Sequence, residues 1–318
     1  MSRHHSRATR IGLLGLLTVF SLTSTACATK RDSALGQGSQ ILAASGTGDF
    51  QITIEAAQAS WERRINRADL ETAIARWELA ATQATPNFDE QQRAEAVAEI
   101  YENLTRAYYF LADAHIRLEG DDESQNEAAM MAIYERGITA AERALALRDP
   151  GFVAKIAAGE SWQDNVAHAN ASAVPALYWY ATNLGRWALL EGIATILARK
   201  DDIKATMDFI IAHQPEYFHG AAHRYFGVYW TKLPFGKKPE EAGVAFVESV
   251  KIAPNYFATR VLIAENLATL NGDRAQFDLE LDYVLNTPVD VVPEIVPENT
   301  FEKEKARRLK ARGDRLFR

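Results

Sequence analysis

Residues 217–256 read YFHGAAHRYFGVYWTKLPFGKKPEEAGVAFVESVKIAPNY, and this stretch decides the fold. Phe226-Gly227 is followed by Trp230, then by Ala242 and Phe246 four residues apart, then by Pro254. Gly227 and Ala242 are small where two antiparallel helices must approach closely, and Phe246 is large enough to fill the gap between them. Pro254 stops the second helix, because it lacks an N–H and clashes with the preceding turn. A helix pair of this kind cannot bury its apolar face alone, so neighbours must stack on it. The pattern describes a binding scaffold better than a catalyst.

Working outward, the chain has 318 residues, 47% hydrophobic and 24% charged, ordinary values for a globular protein. A formal charge of −7 argues against nucleic acid as a partner, since phosphate binding needs a basic face. Alanine-rich amphipathic stretches dominate and strand-like alternation is scarce, so the chain reads as all-α. Helical spacing is expected over about 55–84, from Asp89 to about Leu118, and from about Glu123 to Leu147. A connection at 151–173 carries glycines and Trp162. The helix opening at Val174-Pro175 follows, with proline in the first turn, where no N–H is needed. A short helix is expected from Asp201-Asp202 to Pro215, and further helices over about 256–270 and up to Pro288.

Pro254 and Pro288 stand 34 residues apart, the tetratricopeptide period. The second unit is degenerate, because Gln276 and Glu280 occupy positions for Ala and a large apolar side chain. The expected architecture is a set of tetratricopeptide-like antiparallel pairs over 51–300, stacked into a right-handed solenoid or bundle. Residues 289–300 (VDVVPEIVPENT) do not read as regular helix, and 301–318 read as a charged C-terminal tail, either a helix or a frayed end.

The N-terminus reads as an address. Arg3, Arg7 and Arg10 precede the apolar run Ile11–Leu22, too short for a membrane span and suited to a signal peptide over 1–26. Ser24-Thr25-Ala26 then lead to Cys27, the sole cysteine, as in a bacterial lipobox with Ser24 where leucine is usual. Lipidation of Cys27 would tether the protein to a membrane without spanning it. Residues 27–50, rich in Gly, Ser, Ala and Thr, are expected to be a flexible tether.

Two further blocks carry a family resemblance: VPALYWYATNLGRW at 174–187, and HRYFGVYWTKLP at 223–234 continuing through IAPNYFATRVLIAENLA at 252–268. Together with the lipobox they resemble the T-component of TRAP transporters (the TatT family), most specifically over about 123–288. The resemblance implies a periplasmic lipoprotein beside a solute-binding P-subunit, in a system that moves organic acids down an ion gradient. Ala28 after the cysteine resembles outer-membrane sorting, which puts the protein on the periplasmic face of that membrane. A homo-oligomer is compatible with it. No enzyme activity and no cofactor are implied.

The groove follows from the helix-pair motif. Arg224, Val228, Thr231 and Lys232 share the inner face of the first helix, and Val261, Glu265 and Thr269 that of the next. Glu265, set among apolar residues, needs a partner, and Arg224 is the expected one, as a structural ion pair or freed to meet an anionic solute. Tyr178, Trp179, Arg186 and Trp187, with Trp162 on the connection, are the candidate cavity wall, although aromatics at helical spacing are more often core packing. His219 and His223 are four apart, but no third metal ligand is placed by spacing, and His223 is expected to pack in the helix pair. No phosphate loop, nucleophile elbow or paired-carboxylate motif appears. Two functions stand at this point: a transport accessory scaffold that docks a P-subunit and holds or passes an organic-acid or hydrophobic solute, and a general tetratricopeptide adaptor in envelope assembly.

Overall fold

A computed structural model of the chain describes residues 31, 33–35, 41–43 and 45–318; the proposed signal peptide and Cys27 lie outside them. Among the described residues there is no β-strand, only one isolated bridge between Gly46 and Gln83, and the fold is all-α.

Six of the fifteen α-helices among the described residues begin where a short polar side chain satisfies free N–H groups of the first turn. Asp49 caps α1 (Phe50–Glu62) and Asn66 caps α2 (Arg67–Thr82), so the expected single segment over 55–84 is two helices broken at an asparagine. Asp89 and Gln92 form a reciprocal capping box that starts α3 (Glu90–Phe110). The helix then widens into a π-helical turn, Leu111–Ile116, with Arg117 N–H reaching the Ala112 carbonyl five residues back. After α4 (Glu127–Arg148), the 151–173 connection is itself structured. Asp149 caps α5 (Pro150–Ala157) and Ser161 caps α6 (Trp162–Val166).

α7 (Val174–Glu191) ends at Gly192, whose φ of 125° suits only glycine and turns the chain into α8 (Ile193–His213). α8 runs straight through Asp201-Asp202, so those two acids do not open the helix as expected. α9 (Tyr217–Lys232) and α10 (Pro239–Ile252) are the anticipated pair. An added Cβ on Gly227 would lie 2.5 Å from two ring carbons of Phe246, so the glycine is what lets the two helices close. α11 (Phe257–Leu262) passes through a second π-helical turn, Ile263–Ala268, into α12 (Thr269–Asn271) and then α13 (Arg274–Asn286).

In packing order α1 lies on α2, α2 on α3, α3 on α4, α4 on α7, α7 on α8, α8 on α9 and α9 on α10. One large apolar core runs from α1 to α9, with Trp77, Tyr134, Leu177 and Ile210 fully enclosed. A smaller one joins α11, α13 and α14 (Val296–Ala311) around Phe257 and Phe277.

The two chain ends differ from expectation. The non-helical part of the tail stops at Ile295, and the charged segment that follows is largely α14, finished by α15 (Gly313–Leu316). Glu298 on α14 is buried and pairs with Arg64 at 2.7 Å and Arg106 at 2.9 Å. Three charges of this segment, Glu298, Glu302 and Lys305, are buried rather than left on a free end. Of the stretch expected to be a tether, several described residues are docked on the helices. Ser33 Oγ and Ala34 N–H donate to Glu142, and Arg93 donates to the Leu42 carbonyl at 3.0 Å.

Candidate functional site

A cavity of about 210 Å³ lies between α7, α8 and α9. Ala181, Gly185 and Ala188 of α7 are small and leave room, while Ile196 and Ile203 of α8 and Val228 and Tyr225 of α9 supply apolar wall. Leu189, Ile193, Leu197 and Phe235, large and apolar, are exposed on the same helices and on the loop after α9. A second cavity of about 80 Å³ adjoins it between α9, the two π-helical turns and α14. Tyr109, Tyr178, Arg186, Arg224 and Leu262 line both, so the site has an apolar limb and a charged limb that meet at those five side chains.

The charged limb centres on Asp113, carried by the first π-helical turn. Its carboxylate accepts from Arg186 of α7, from Lys305 of α14 at 2.5 Å and from Arg117 at 3.5 Å. Lys305 also donates to Glu302 at 2.7 Å, and Arg117 reaches Glu123 at 2.9 Å. Burial opposes ionisation of Asp113, but the three cations outweigh it and hold its carboxyl well below the usual range. Burial likewise works against the Lys305 ammonium, and Asp113 and Glu302 reverse that and raise it. Burial pushes the Tyr109 hydroxyl up to about 12, so it stays protonated.

Arg224 sits at the junction and is 6% exposed. Its guanidinium donates to the carbonyls of His219 at 3.0 Å and Phe218 at 3.3 Å, and lies 4.4 Å from the Tyr256 ring centroid. Those carbonyls belong to a left-handed turn at the start of α9, where Phe218, His219 and Gly220 have φ of 44°, 61° and 67°. Two non-glycine residues in this region cost about 1–2 kcal/mol each, so the turn persists only because its surroundings hold it. His219 stacks on Tyr256 with the rings 10° from parallel, and Phe218 packs on Trp179. The turn also removes the regular helical register between His219 and His223 on which a metal pair would depend. Among the described residues no group of three His, Cys, Asp or Glu is placed to hold a metal.

Of the residues singled out in the sequence, Tyr178, Arg186, Arg224, Val228 and Lys232 line the apolar limb, and Glu265 lines the charged one. The expected Arg224–Glu265 pair does not form. Glu265 lies 3.6 Å from Arg117, and Arg224 is taken up by the turn. Trp162 is core rather than wall: it stacks on Tyr180, with centroids 4.7 Å apart, and its indole N–H donates to Thr206 at 2.9 Å. Trp179 lines only a small void of about 30 Å³ with Phe218 and Arg106, while Trp187 is buried and His223 half-buried away from both limbs. Thr231 turns inward and donates to the Val228 carbonyl.

Sequence reasoning missed Asp113, Arg117, Glu302 and Lys305. One signal was available for Asp113: in Leu111-Ala-Asp-Ala-His-Ile116 a lone acid stands in an apolar stretch, where an ion needs a partner. Nothing comparable marks Lys305, which lies among many surface-type charges.

The sequence profile of one family, described as the TRAP transporter T-component, matches residues 89–317, and the chain belongs to that family. No curated protein matches it. Among the described residues no helix is long and apolar enough to cross a membrane.

Proposed function

We propose, with membership of the T-component family as premise, that this protein is the lipid-anchored accessory component of a TRAP-type transport system. Cys27 carries the anchor on the periplasmic face of the outer membrane, and the helix pairs stack as right-handed tetratricopeptide-like layers. The protein docks a solute-binding P-subunit and holds a solute in the two-limbed cavity without chemical change. The observation that carries this reading is the cavity itself. Its apolar limb meets the charged limb at Arg186 and Arg224, and it lies between helices, where small-molecule sites are usually found.

The docking surface follows from the same region. Leu189, Ile193, Leu197 and Phe235 are 45%, 57%, 44% and 87% exposed around the elbow of α7 and α8 and the loop after α9. An apolar patch beside a cavity marks a contact surface for another protein. Crosslinking on native membranes, followed by mass spectrometry, tests the reading. A P-subunit crosslinked to the wild type, and lost with Leu189→Glu plus Phe235→Glu, is the expected result. Recovery of envelope assembly factors and no P-subunit would replace it with the adaptor reading.

A further inference from the structure

We infer that the cavity takes a ligand with one anionic head and an apolar tail, the head on Arg224 and the tail in the limb between α7 and α8. This rests on the reading that the cavity holds a solute, and it specifies the class. Three cations are buried among the described residues: Arg64, Arg224 and Lys305. Arg64 is paired with Glu298, and Lys305 with Asp113 and Glu302. Arg224 has no carboxylate partner; two backbone carbonyls and the Tyr256 ring are its contacts. A buried charge without a counter-ion is costly, and an arriving anion removes that cost. The two carbonyls use part of the five N–H donors of a guanidinium, and the rest have no acceptor among the described residues.

The other cations near the junction do not compete for the head. Arg186, Arg117 and Lys305 converge on Asp113, and with Arg312 in the same limb they match the four carboxylates Asp113, Glu265, Glu123 and Glu302. Arg312 lines the charged limb alone, away from the apolar one. Only Arg224 combines burial, an uncompensated charge and a place in both limbs. The limb beyond it is walled by Ala181, Ala188, Ile196, Ile203 and Val228, which offers a tail apolar contact and few hydrogen-bonding groups. A short dianion would leave that limb unfilled and would have no second buried, unpaired cation to meet.

The test is isothermal titration of the purified chain, residues 27–318, with decanoate, decan-1-ol and succinate. Decanoate is expected to bind at least about tenfold more tightly than decan-1-ol, the usual weight of a buried charge-assisted hydrogen bond. Succinate is expected not to bind. Arg224→Gln should weaken decanoate by a similar factor and leave decan-1-ol nearly unchanged. Because Arg224 also holds the left-handed turn, Gly185→Leu serves as a second variant. A Cβ there meets only Ile203 Cδ1 at 3.7 Å, so a larger side chain can occupy the limb without touching the turn. It should abolish decanoate binding at an unchanged or raised Tm. Decanoate and decan-1-ol binding equally, succinate binding in an Arg224-dependent way, or full decanoate affinity in Gly185→Leu would each overturn the inference. Loss of the inference would leave the P-subunit crosslink standing, so the two failures are separable.

Discussion

Replacing Asp113 by asparagine keeps its shape and removes one charge from the centre of the site. Arg186, Lys305 and Arg117 would then face one another with their common counter-ion gone. Asp113 is 6% exposed and Lys305 8%, so water cannot take over the role. Breaking a buried pair from one side costs about 3–5 kcal/mol, and a domain of this size loses roughly 2–4 °C of Tm per kcal/mol. The expected fall in Tm at pH 7 is therefore roughly 6–20 °C. The pH dependence adds a second signature. The folded-state carboxyl is depressed below its unfolded value, so its contribution is fully present above the unfolded value of about 4. It is lost as pH falls through that value toward the lower folded one. The gap between wild type and Asp113→Asn, followed by thermal circular dichroism, should thus be constant from about pH 5 to 7 and narrow in acid. A Tm within about 1 °C of wild type, the behaviour of an exposed pair, would refute the account of the site.

Three further outcomes are expected. Gly227→Ala should destabilise by about 1–2 kcal/mol, since overpacking against Phe246 outweighs the helix propensity of alanine. Gly243→Ala, where the nearest atom outside the helix is Leu267 Cδ2 at 3.9 Å, should stabilise by up to about 1 kcal/mol in the same urea titration; equal signs would undo the close-approach argument. Cys27→Ser should release the protein from membranes into the soluble fraction with unchanged circular dichroism, and continued retention would remove the lipid anchor from the proposal. Truncation after Ile295 should lower Tm substantially and expose apolar surface to a dye, because α14 supplies Glu298 and Lys305 to buried pairs; an unshifted Tm would make it the peripheral tail that its composition suggests.

The α9–α10 pair was legible because its determinants are local and steric. A glycine facing a phenylalanine, and a proline past the end, leave one geometry for the two helices. The apolar limb was partly legible for the same reason, since Arg224, Val228 and Lys232 share a helix face whose partner the motif identifies. The charged limb was not. Asp113 and Lys305 are 192 residues apart, and their meeting depends on how α14 folds back, which no local pattern encodes. The helix breaks at Asn66 and Gly192 were marked by recognised residue types, but periodicity across them masked the punctuation. The Arg224–Glu265 pair failed because three consecutive left-handed residues turn two backbone carbonyls toward Arg224.

The two π-helical turns place Asp113 and Glu265, the acids that share Arg117 across the charged limb. Each such turn holds one residue more than the α-helical turn it replaces, because its hydrogen bonds span five residues instead of four. Deleting a single residue from 111–116 or 263–268 would therefore let the helix heal without shifting the register on either side. Along a lineage, loss of one codon at either place can move or remove an acid of the site while the helices on either side keep their register.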